Sequence, residues 1–269
     1  MTLPLHSQIT HPQTPSAEED KSPVILLHGL FGSLENLGVV ARRLALGWQV
    51  HSVDLRNHGR SPHADSMTYT EMAGDVRAYM DEHGLASAIL IGHSMGGKVA
   101  MRLALDYPDR VERLVVADIA PVTYEPHHGR ILEGMRALDT ARLKSRTEAD
   151  KALAAYVDEP PVRQFLLKNL VKRDQGGFAW RLNIDAIESN YASILAGQES
   201  DQPYRGPVLF IKGGASDYIQ ERHRAQVARL FPGAALRVIP GTGHWLHAEK
   251  PDVFTTLCER FLTGEIEGD

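Results

Sequence analysis

The residues most informative about the fold are 88–97, which read AILIGHSMGG. A short apolar run leads into Gly92, and a stripe of apolar residues at helical spacing begins directly after Gly97. Ser94 therefore occupies G-x-S-x-G in the strand–turn–helix setting of a nucleophile elbow. Glycines fit beside the serine because larger side chains would collide in so tight a turn. The stretch predicts a serine nucleophile raised at a helix N-terminus, where the helix dipole favours developing negative charge.

Outward from this turn, short apolar runs alternate with segments of helical period. The predicted strands cover residues 24–29, 48–55, 88–94, 114–120, 208–214 and 235–241. The helical patterns between and after them cover residues 35–46, 69–84, 95–108, 218–231 and 251–262. Alternating apolar residues at 3–9 indicate an edge strand, and the polar, proline-containing residues 11–23 a surface loop. The pattern predicts an α/β protein whose mostly parallel sheet is covered on both faces, with its chemistry at the carboxyl ends of the strands.

The alternation is interrupted between residues 121 and 202, where helical patterns dominate. They cover residues 129–138, 147–157, 160–170 and 183–195, with a short strand or hairpin expected around Phe178 and Trp180. An insertion of ~80 residues is too long for a plain loop, so we interpret it as a cap over the strand ends. The predicted domains are a core of residues 1–120 and 203–269 and a mainly helical cap of residues 121–202. The apolar side chains of the cap are expected chiefly to pack a small core of its own.

Composition excludes several classes of function. The 269 residues carry a formal net charge of −5, which supplies no basic field to gather nucleic acid or anionic lipid. The single cysteine, Cys258, excludes an internal disulfide framework and a thiolate metal cluster. The apolar runs are far shorter than the ~18 residues of a membrane helix, and the N-terminal residues lack the apolar segment of a secretory signal. A cytoplasmic protein without nucleic-acid or membrane partners is expected.

A serine nucleophile needs a general base, and thirteen histidines are available. His244 lies in GTGHWLHAEKP (241–251), the loop after the last predicted strand, where flanking glycines let the imidazole reach across the strand ends. Its place far downstream of Ser94 fits the serine-first, histidine-last order of one large class of hydrolases. His247 lies nearer the following helix and is the weaker candidate. His28, at the end of the first core strand, is expected to hold its loop through hydrogen bonds.

Five motifs spread along the chain resemble one known family, and they are HGLFGS (28–33), DLRNHGRS (54–61), GHSMGGK (92–98), DIAPV (118–122) and GTGHWLHAEKP (241–251). After its first twenty residues the chain is similar to the α/β-hydrolase-fold serine esterases over nearly its whole length. Within that family it most resembles the YbfF-type bacterial esterases and their mitochondrial relatives. GHSMGG occurs in many hydrolases, whereas its combination with LLHGLFGSLENLG, DIAPV and GHWLHAEKP is more specific. The resemblance implies an α/β-hydrolase fold and a serine esterase activity.

The acid that orients the histidine has several candidates. In GGASDYI (213–219), one register of the turn places Ser216 at the position of the acid, and another places Asp217 there. Asp118, directly after the strand LVVA, is an alternative, and Asp185 in the cap is a further one. The YbfF-type esterases resemble this chain in having a serine in the later turn and an aspartate in DIAPV. The resemblance therefore favours Asp118, with Ser216 as a hydrogen-bonding helper and Asp217 as the alternative acid.

The oxyanion of an acyl-transfer intermediate needs two preorganised N–H donors. One is expected from Met95, the residue after the nucleophile, and the other from Leu30, in the glycine-containing loop after the first core strand. No nucleotide-binding glycine motif follows a strand, and His127 and His128 lack the spacing of a zinc motif. Neither a cofactor nor a metal is predicted.

The sequence therefore predicts a serine hydrolase that cleaves carboxylic esters through a Ser94–His244–Asp118 triad and an acyl-enzyme. Its expected partner is a small-molecule ester, or a thioester such as acyl-CoA. One alternative is a C–C bond hydrolase with the same triad, and another is a non-hydrolytic ligand-binding protein on the same fold. The sequence does not choose between monomer and dimer. Rebuilding residues 160–195 is expected to change the preferred chain length of the substrate.

Overall fold

The computed structural model describes residues 1–12 and 21–266. Of the surface loop predicted at residues 11–23, residues 13–20 lie outside this description. Nine strands are present in the described part of the chain, and they are β1 (Ser7–Thr10), β2 (Val24–Leu27), β3 (Val50–Val53), β4 (Ala88–His93), β5 (Val111–Ala117), β6 (Leu170–Lys172), β7 (Phe178–Trp180), β8 (Val208–Gly213) and β9 (Ala234–Ile239).

Seven of these strands form the main sheet, in the order β1-β3-β2-β4-β5-β8-β9. All neighbours pair in parallel except β1, which joins the edge of the sheet antiparallel to β3. The α/β fold with a mostly parallel sheet is therefore confirmed. The predicted edge strand is present, but it begins at Ser7 and not at residue 3. The backbone N–H of Leu3 donates to the carboxylate of Asp75 and not to a neighbouring strand.

Helices cover both faces of the main sheet. Around it lie α1 (Gly38–Leu44), α2 (Tyr69–Glu82), α3 (Met95–Asp106), α9 (Arg224–Leu230), α10 (Leu246–Glu249) and α11 (Pro251–Leu262). Successive side chains of a strand point to opposite faces, so β2 sends Ile25 and Leu27 into one apolar cluster and Val24 and Leu26 into another. The continuous apolar run of β2 thus follows from a strand that is buried on both sides. None of the described helices is long and apolar enough to span a membrane.

Between β5 and β8 the chain forms a mainly helical insertion over the strand ends. It contains α4 (Gly129–Ala137), α5 (Arg146–Leu153), α6 (Pro160–Leu167), α7 (Ile184–Ser189) and α8 (Tyr191–Leu195), with the antiparallel pair β6–β7. Leu166, Leu182 and Ile187 join the apolar cluster of the main sheet, and only a small second cluster belongs to the insertion itself. The insertion thus has a small core of its own, as expected, but several of its apolar side chains pack on the core beneath it instead. The domain boundaries at residues 121 and 202 stay a prediction.

Two predicted helices differ most from the structure, while those predicted at 35–46 and 147–157 are shorter, as Gly38–Leu44 and Arg146–Leu153. The helix predicted at 218–231 begins only at Arg224, since the preceding residues form the turn after β8 and a short 3-10 helix (Glu221–His223). The helix predicted at 183–195 is divided at Asn190 into α7 and α8. The Asn190 amide donates to the carbonyl of Asp65 at 2.7 Å, and its oxygen accepts from the N–H of Met67 at 3.1 Å. The break in the helix therefore ties the insertion to a loop of the core.

Candidate active site

Ser94 lies in a strained turn between β4 and α3. Its φ of 52° and ψ of −120° fall in a region that residues with side chains rarely adopt, so the surrounding structure must hold it there. The flanking glycines allow this. A Cβ on Gly92 would lie 2.3 Å from the carbonyl oxygen of Gly96, and a Cβ on Gly96 would lie 2.3 Å from that of Leu27. Only glycine fits at either place, and the hydroxyl of Ser94 is left partly exposed at the start of α3.

His244 and Asp118 continue a chain of hydrogen bonds from Ser94. The Oγ of Ser94 lies 3.0 Å from Nε2 of His244, and Nδ1 of His244 lies 2.8 Å from Oδ2 of Asp118. Asp118 follows β5 with a φ of 51° and is fully buried. Since Nδ1 faces a carboxylate, it carries the proton in neutral imidazole, which leaves Nε2 as the acceptor for the serine hydroxyl.

Asp118 receives further hydrogen bonds from the turn after β8. The N–H of Gly213 donates to Oδ1 at 2.9 Å, and the hydroxyl of Ser216 donates to Oδ2. A buried carboxylate is stable only when such donors replace its lost water, and these contacts supply them. Asp217 is exposed and lies outside the cluster, and Asp185 forms an exposed ion pair with Arg136. The structure thus brings Ser94, His244, Asp118 and Ser216 together and leaves the other two aspartates apart.

The two residues predicted to bind an oxyanion come from different segments of the chain that meet at Ser94. Met95 is the first residue of α3, so its N–H has no acceptor within the helix. Leu30 lies in the loop after β2, which is closed by a hydrogen bond from the N–H of Gly32 to the carbonyl of Gly29 at 3.0 Å. Leu30, Ser94 and Met95 line the same small cavity. Their use as oxyanion donors stays a prediction.

Two buried histidines hold the Leu30 loop, each with one ring nitrogen donating and the other accepting. Nδ1 of His28 faces the carbonyl of Gly29 at 2.8 Å, while its Nε2 accepts from the N–H of Leu55 at 3.0 Å. Nδ1 of His58 faces the carbonyl of Arg56 at 2.9 Å, while its Nε2 accepts from the N–H of Phe31 at 3.2 Å. Both rings must be neutral to accept a backbone N–H. Burial lowers the pKa of His28 to about 4 and that of His58 to about 3. The bracing role expected for His28 agrees with these contacts.

Two residues around His244 were not singled out from the sequence. His93, directly before Ser94, donates from Nε2 to the backbone carbonyl of His244 at 2.8 Å. The ring of Tyr218 stacks on the imidazole of His244, with centroids 3.9 Å apart and planes 20° apart. Burial holds the pKa of His93 well below its usual value, so the ring stays neutral at neutral pH. His93 could have been found as the variable residue of the elbow, whereas no sequence signal marks Tyr218.

A cavity of about 550 Å³ opens at Ser94 between the core and the insertion. Its walls include Phe31, Ile131, Phe165 and Trp245, and its polar lining includes the ring of His244. A mostly apolar cleft with a few convergent polar groups is typical of small-molecule sites. In the described ranges, no group of three or more His, Cys, Asp or Glu side chains is placed to hold a metal ion.

A family model described as the alpha/beta hydrolase fold matches residues 22–251. The chain belongs to the α/β-hydrolase family. This α/β-hydrolase is 40% identical to esterase YbfF of Escherichia coli (strain K12) over 251 residues, which cover 93% of this chain and 96% of the relative. It is 42% identical to the sn-1-specific diacylglycerol lipase ABHD11 of Mus musculus over 247 residues, which cover 89% of this chain and 80% of the relative. A solved marine microorganism esterase superposes with a TM-score of 0.92 at 40% identity, covering 97% of this chain and 100% of its own. The predicted resemblance is confirmed.

Proposed function

We propose that this α/β-hydrolase cleaves carboxylic esters, with Ser94 as nucleophile, His244 as base and Asp118 as the acid that orients His244. The hydrogen-bond chain from Asp118 through both nitrogens of His244 to the hydroxyl of Ser94 carries the proposal. Its relatives in Escherichia coli and among marine microorganisms are named esterases, which supports ester hydrolysis as the reaction.

The proposed reaction begins with attack of the Ser94 Oγ on the ester carbonyl carbon while Nε2 of His244 accepts the hydroxyl proton. The backbone N–H groups of Leu30 and Met95 bind the oxyanion of the tetrahedral intermediate. As the intermediate collapses, His244 gives the proton to the leaving oxygen and an acyl-serine remains. A water molecule, deprotonated by His244, then attacks the acyl carbon. The carboxylic acid is released and the proton returns to Ser94. Thioesters fit the same steps, with a thiol as the leaving group.

Asp118 acts on His244 in two ways in this scheme. Its carboxylate accepts a hydrogen bond from Nδ1–H, which leaves Nε2 free to act as the base, and its negative charge stabilises the imidazolium formed during attack. Donors from Gly213 and Ser216 hold the carboxylate from the other side. The position of the charge is therefore fixed before substrate binds, which is the condition for effective electrostatic stabilisation.

The test is hydrolysis of p-nitrophenyl esters by the wild type, Ser94→Ala and Ser189→Ala, since Ser189 is an exposed serine at the end of α7. Turnover is expected to vanish in Ser94→Ala and to be unchanged in Ser189→Ala. Mass spectrometry after treatment with a fluorophosphonate should place one adduct on the peptide that contains Ser94. Full turnover by Ser94→Ala would exclude the proposed nucleophile. A folded wild type that hydrolyses no ester or thioester would favour the C–C hydrolase or the ligand-binding protein.

A further inference from the structure

The loop that carries Leu30 lies directly against the nucleophile. A Cβ on Gly29 would lie 3.2 Å from the Cβ of Ser94, so the backbone of the loop has little room to move towards it. An N–H donor stabilises an oxyanion only when it is held in place before the charge develops, and a misplacement of about 1 Å can cost about 10²-fold in rate. The contacts that fix this loop therefore bear on the rate of the reaction.

Phe31, the residue after Leu30, has a backbone conformation that its surroundings must hold. Its φ of 60° lies in the left-handed region, which residues with a side chain adopt only at a cost in free energy. The N–H of Phe31 donates to Nε2 of His58, in the core, at 3.2 Å. Since Phe31 is buried, its carbonyl oxygen also needs a hydrogen-bond donor.

Asn169 of the insertion supplies that donor. It is a buried residue between α6 and β6, and its side-chain amide donates to the carbonyl of Phe31 at 2.7 Å. The same amide donates to the carbonyl of Leu166 at 3.1 Å, so both of its hydrogens are used. In the described part of the chain, no other donor reaches the carbonyl of Phe31. One hydrogen bond from the insertion thus holds the strained residue beside the predicted oxyanion donor.

The surrounding insertion fixes Asn169 at this contact. The backbone carbonyl of Asn169 accepts from the N–H of Arg181 at 2.8 Å, and its backbone N–H donates to the carbonyl of Leu166 at 3.0 Å. Leu166 lies in the same apolar cluster as Phe31. The ring of His128, also in the insertion, meets the ring of Phe31 edge-on, with centroids 5.6 Å apart. The insertion therefore contacts both the ring and the carbonyl of Phe31.

We propose that Asn169 is a positioning residue for the ester hydrolysis, whose amide holds Phe31, and through it the N–H of Leu30, where the oxyanion forms. The inference rests on the proposed function of Ser94 and on Leu30 as an oxyanion donor. It gives the insertion a part in stabilising the transition state, in addition to covering the cleft.

A matched pair of asparagines separates this role from general anchoring of the insertion. Asn169→Ala removes the contact with Phe31, whereas Asn190→Ala removes a hydrogen bond to the carbonyl of Asp65 that also ties the insertion to a core loop. In Asn169→Ala we expect kcat for p-nitrophenyl acetate to fall about tenfold or more with KM unchanged, because the lost stabilisation belongs to the transition state. The loss should stay below the roughly 10²–10³-fold caused by removing an oxyanion donor, since the N–H itself remains. Asn190→Ala should keep the wild-type kcat and KM.

A transition-state analogue tests the binding of the oxyanion separately. The Ser94 oxygen adds to the carbonyl carbon of a trifluoromethyl ketone while His244 takes the hydroxyl proton, and the former carbonyl oxygen becomes an oxyanion. In Asn169→Ala, Ki for the ketone is expected to rise by the factor by which kcat/KM falls. In Asn190→Ala it should stay at the wild-type value. A residue that only stabilised the fold would lower the melting temperature without raising Ki.

Asn169→Ser provides a second variant if the alanine variant does not fold. Its shorter side chain loses the contact with Phe31 but leaves a hydroxyl for the carbonyl of Leu166, three residues earlier. The same losses in kcat and in affinity for the ketone are expected.

An Asn169→Ala or Asn169→Ser variant with the wild-type kcat and Ki would overturn the inference. A change in KM alone, or an equal loss of kcat in Asn190→Ala, would overturn it as well. Each of these results leaves the proposed function intact as long as Ser94→Ala abolishes the turnover. Absence of any ester hydrolysis by the folded wild type would instead count against the proposed function itself.

Discussion

Acidification from pH 7 to pH 5 is expected to destabilise this protein strongly through its buried histidines. His28, His58 and His247 are all buried and neutral. Burial lowers the pKa of His28 to about 4, and the pKa values of His58 and His247 to about 3. In the unfolded chain each of them returns to a pKa of about 6.5. At a pH between the native and unfolded pKa values, these histidines bind protons in the unfolded chain but not in the native state. Acid therefore favours unfolding.

The loss of unfolding free energy at pH 5 depends little on the exact native pKa values of these histidines, because all three lie below 5. Each pH unit below 6.5 is worth about 1.4 kcal/mol per histidine, so each one removes about 2 kcal/mol by pH 5. The three together remove about 6 kcal/mol, a large part of the roughly 5–15 kcal/mol that stabilises a typical domain. The sign is that of a base with a lowered native pKa: the destabilisation is absent well above pH 6.5 and grows as the pH falls towards the native values of about 3 to 4.

Urea unfolding followed by the fluorescence of the three tryptophans measures this directly. Between pH 6 and pH 5, these three histidines are expected to lower the free energy of unfolding by about 4 kcal/mol per pH unit, and His51, His93 and His128, whose pKa values burial also lowers, make the slope steeper. His58→Gln retains hydrogen-bonding capacity without a titratable ring, so its slope should be shallower by the share of one histidine, about 1.4 kcal/mol per pH unit. Val115→Ala, a substitution in the buried strand β5, is the control and should lower the whole curve without changing its slope. A free energy of unfolding that stays constant from pH 7 to pH 5 would refute the reasoning.

Three further substitutions test individual contacts. Asp118→Asn should lower kcat by about 10⁴-fold with the circular dichroism spectrum unchanged, because the tautomer of the histidine is no longer fixed; a loss below tenfold would point to another acid. Ser216→Ala removes one hydrogen bond to that carboxylate and should lower kcat by about tenfold, since such bonds to charged groups are worth about 1.5–3 kcal/mol; an unchanged kcat would deny it a helping role. Gly96→Ala should abolish soluble expression because its Cβ would lie 2.3 Å from a backbone oxygen, whereas Gly129→Ala has no atom within 4 Å of the new Cβ and should express normally; equal yields would contradict the steric argument.

The local parts of the site could be predicted from the sequence because short-range chemistry determines them. The elbow around Ser94 needs glycine at position 92 because a side chain there would meet the carbonyl of Gly96 within the same turn, whereas the glycine at position 96 makes room for the carbonyl of Leu27 on the neighbouring strand. The position of His244 followed from a loop after the last strand, since parallel strands bring all such loops to one edge of the sheet. The sequence therefore predicted Ser94 and His244, because the position of each is determined by the strand that it follows.

Contacts between distant segments could not be predicted in this way. His93 and Tyr218 contact His244 only because β4 and the turn after β8 meet at the site. His93 and His244 are 151 residues apart in the sequence. The apolar cluster that each side chain of the insertion joins was harder still to predict. Leu166 and Ile187 fit a separate core equally well by their spacing, and only the packing of the insertion on the sheet decides that they join the main cluster.

The ambiguity over the acid has a physical origin in the order of the strands. β5 and β8 are neighbours that pair in parallel, so the residues that follow them, Asp118 and the 214–217 turn, reach the same point beside His244. An acid on either strand would satisfy Nδ1, and no rule of local sequence chooses between them. Here the buried Asp118 lies against the ring, and Ser216 donates to it from the turn where an acid would otherwise stand. A second carboxylate at that position would place two negative charges, which repel each other, in contact within a buried site. A serine there, with Asp217 turned outward to solvent, instead supplies Asp118 with a hydrogen-bond donor.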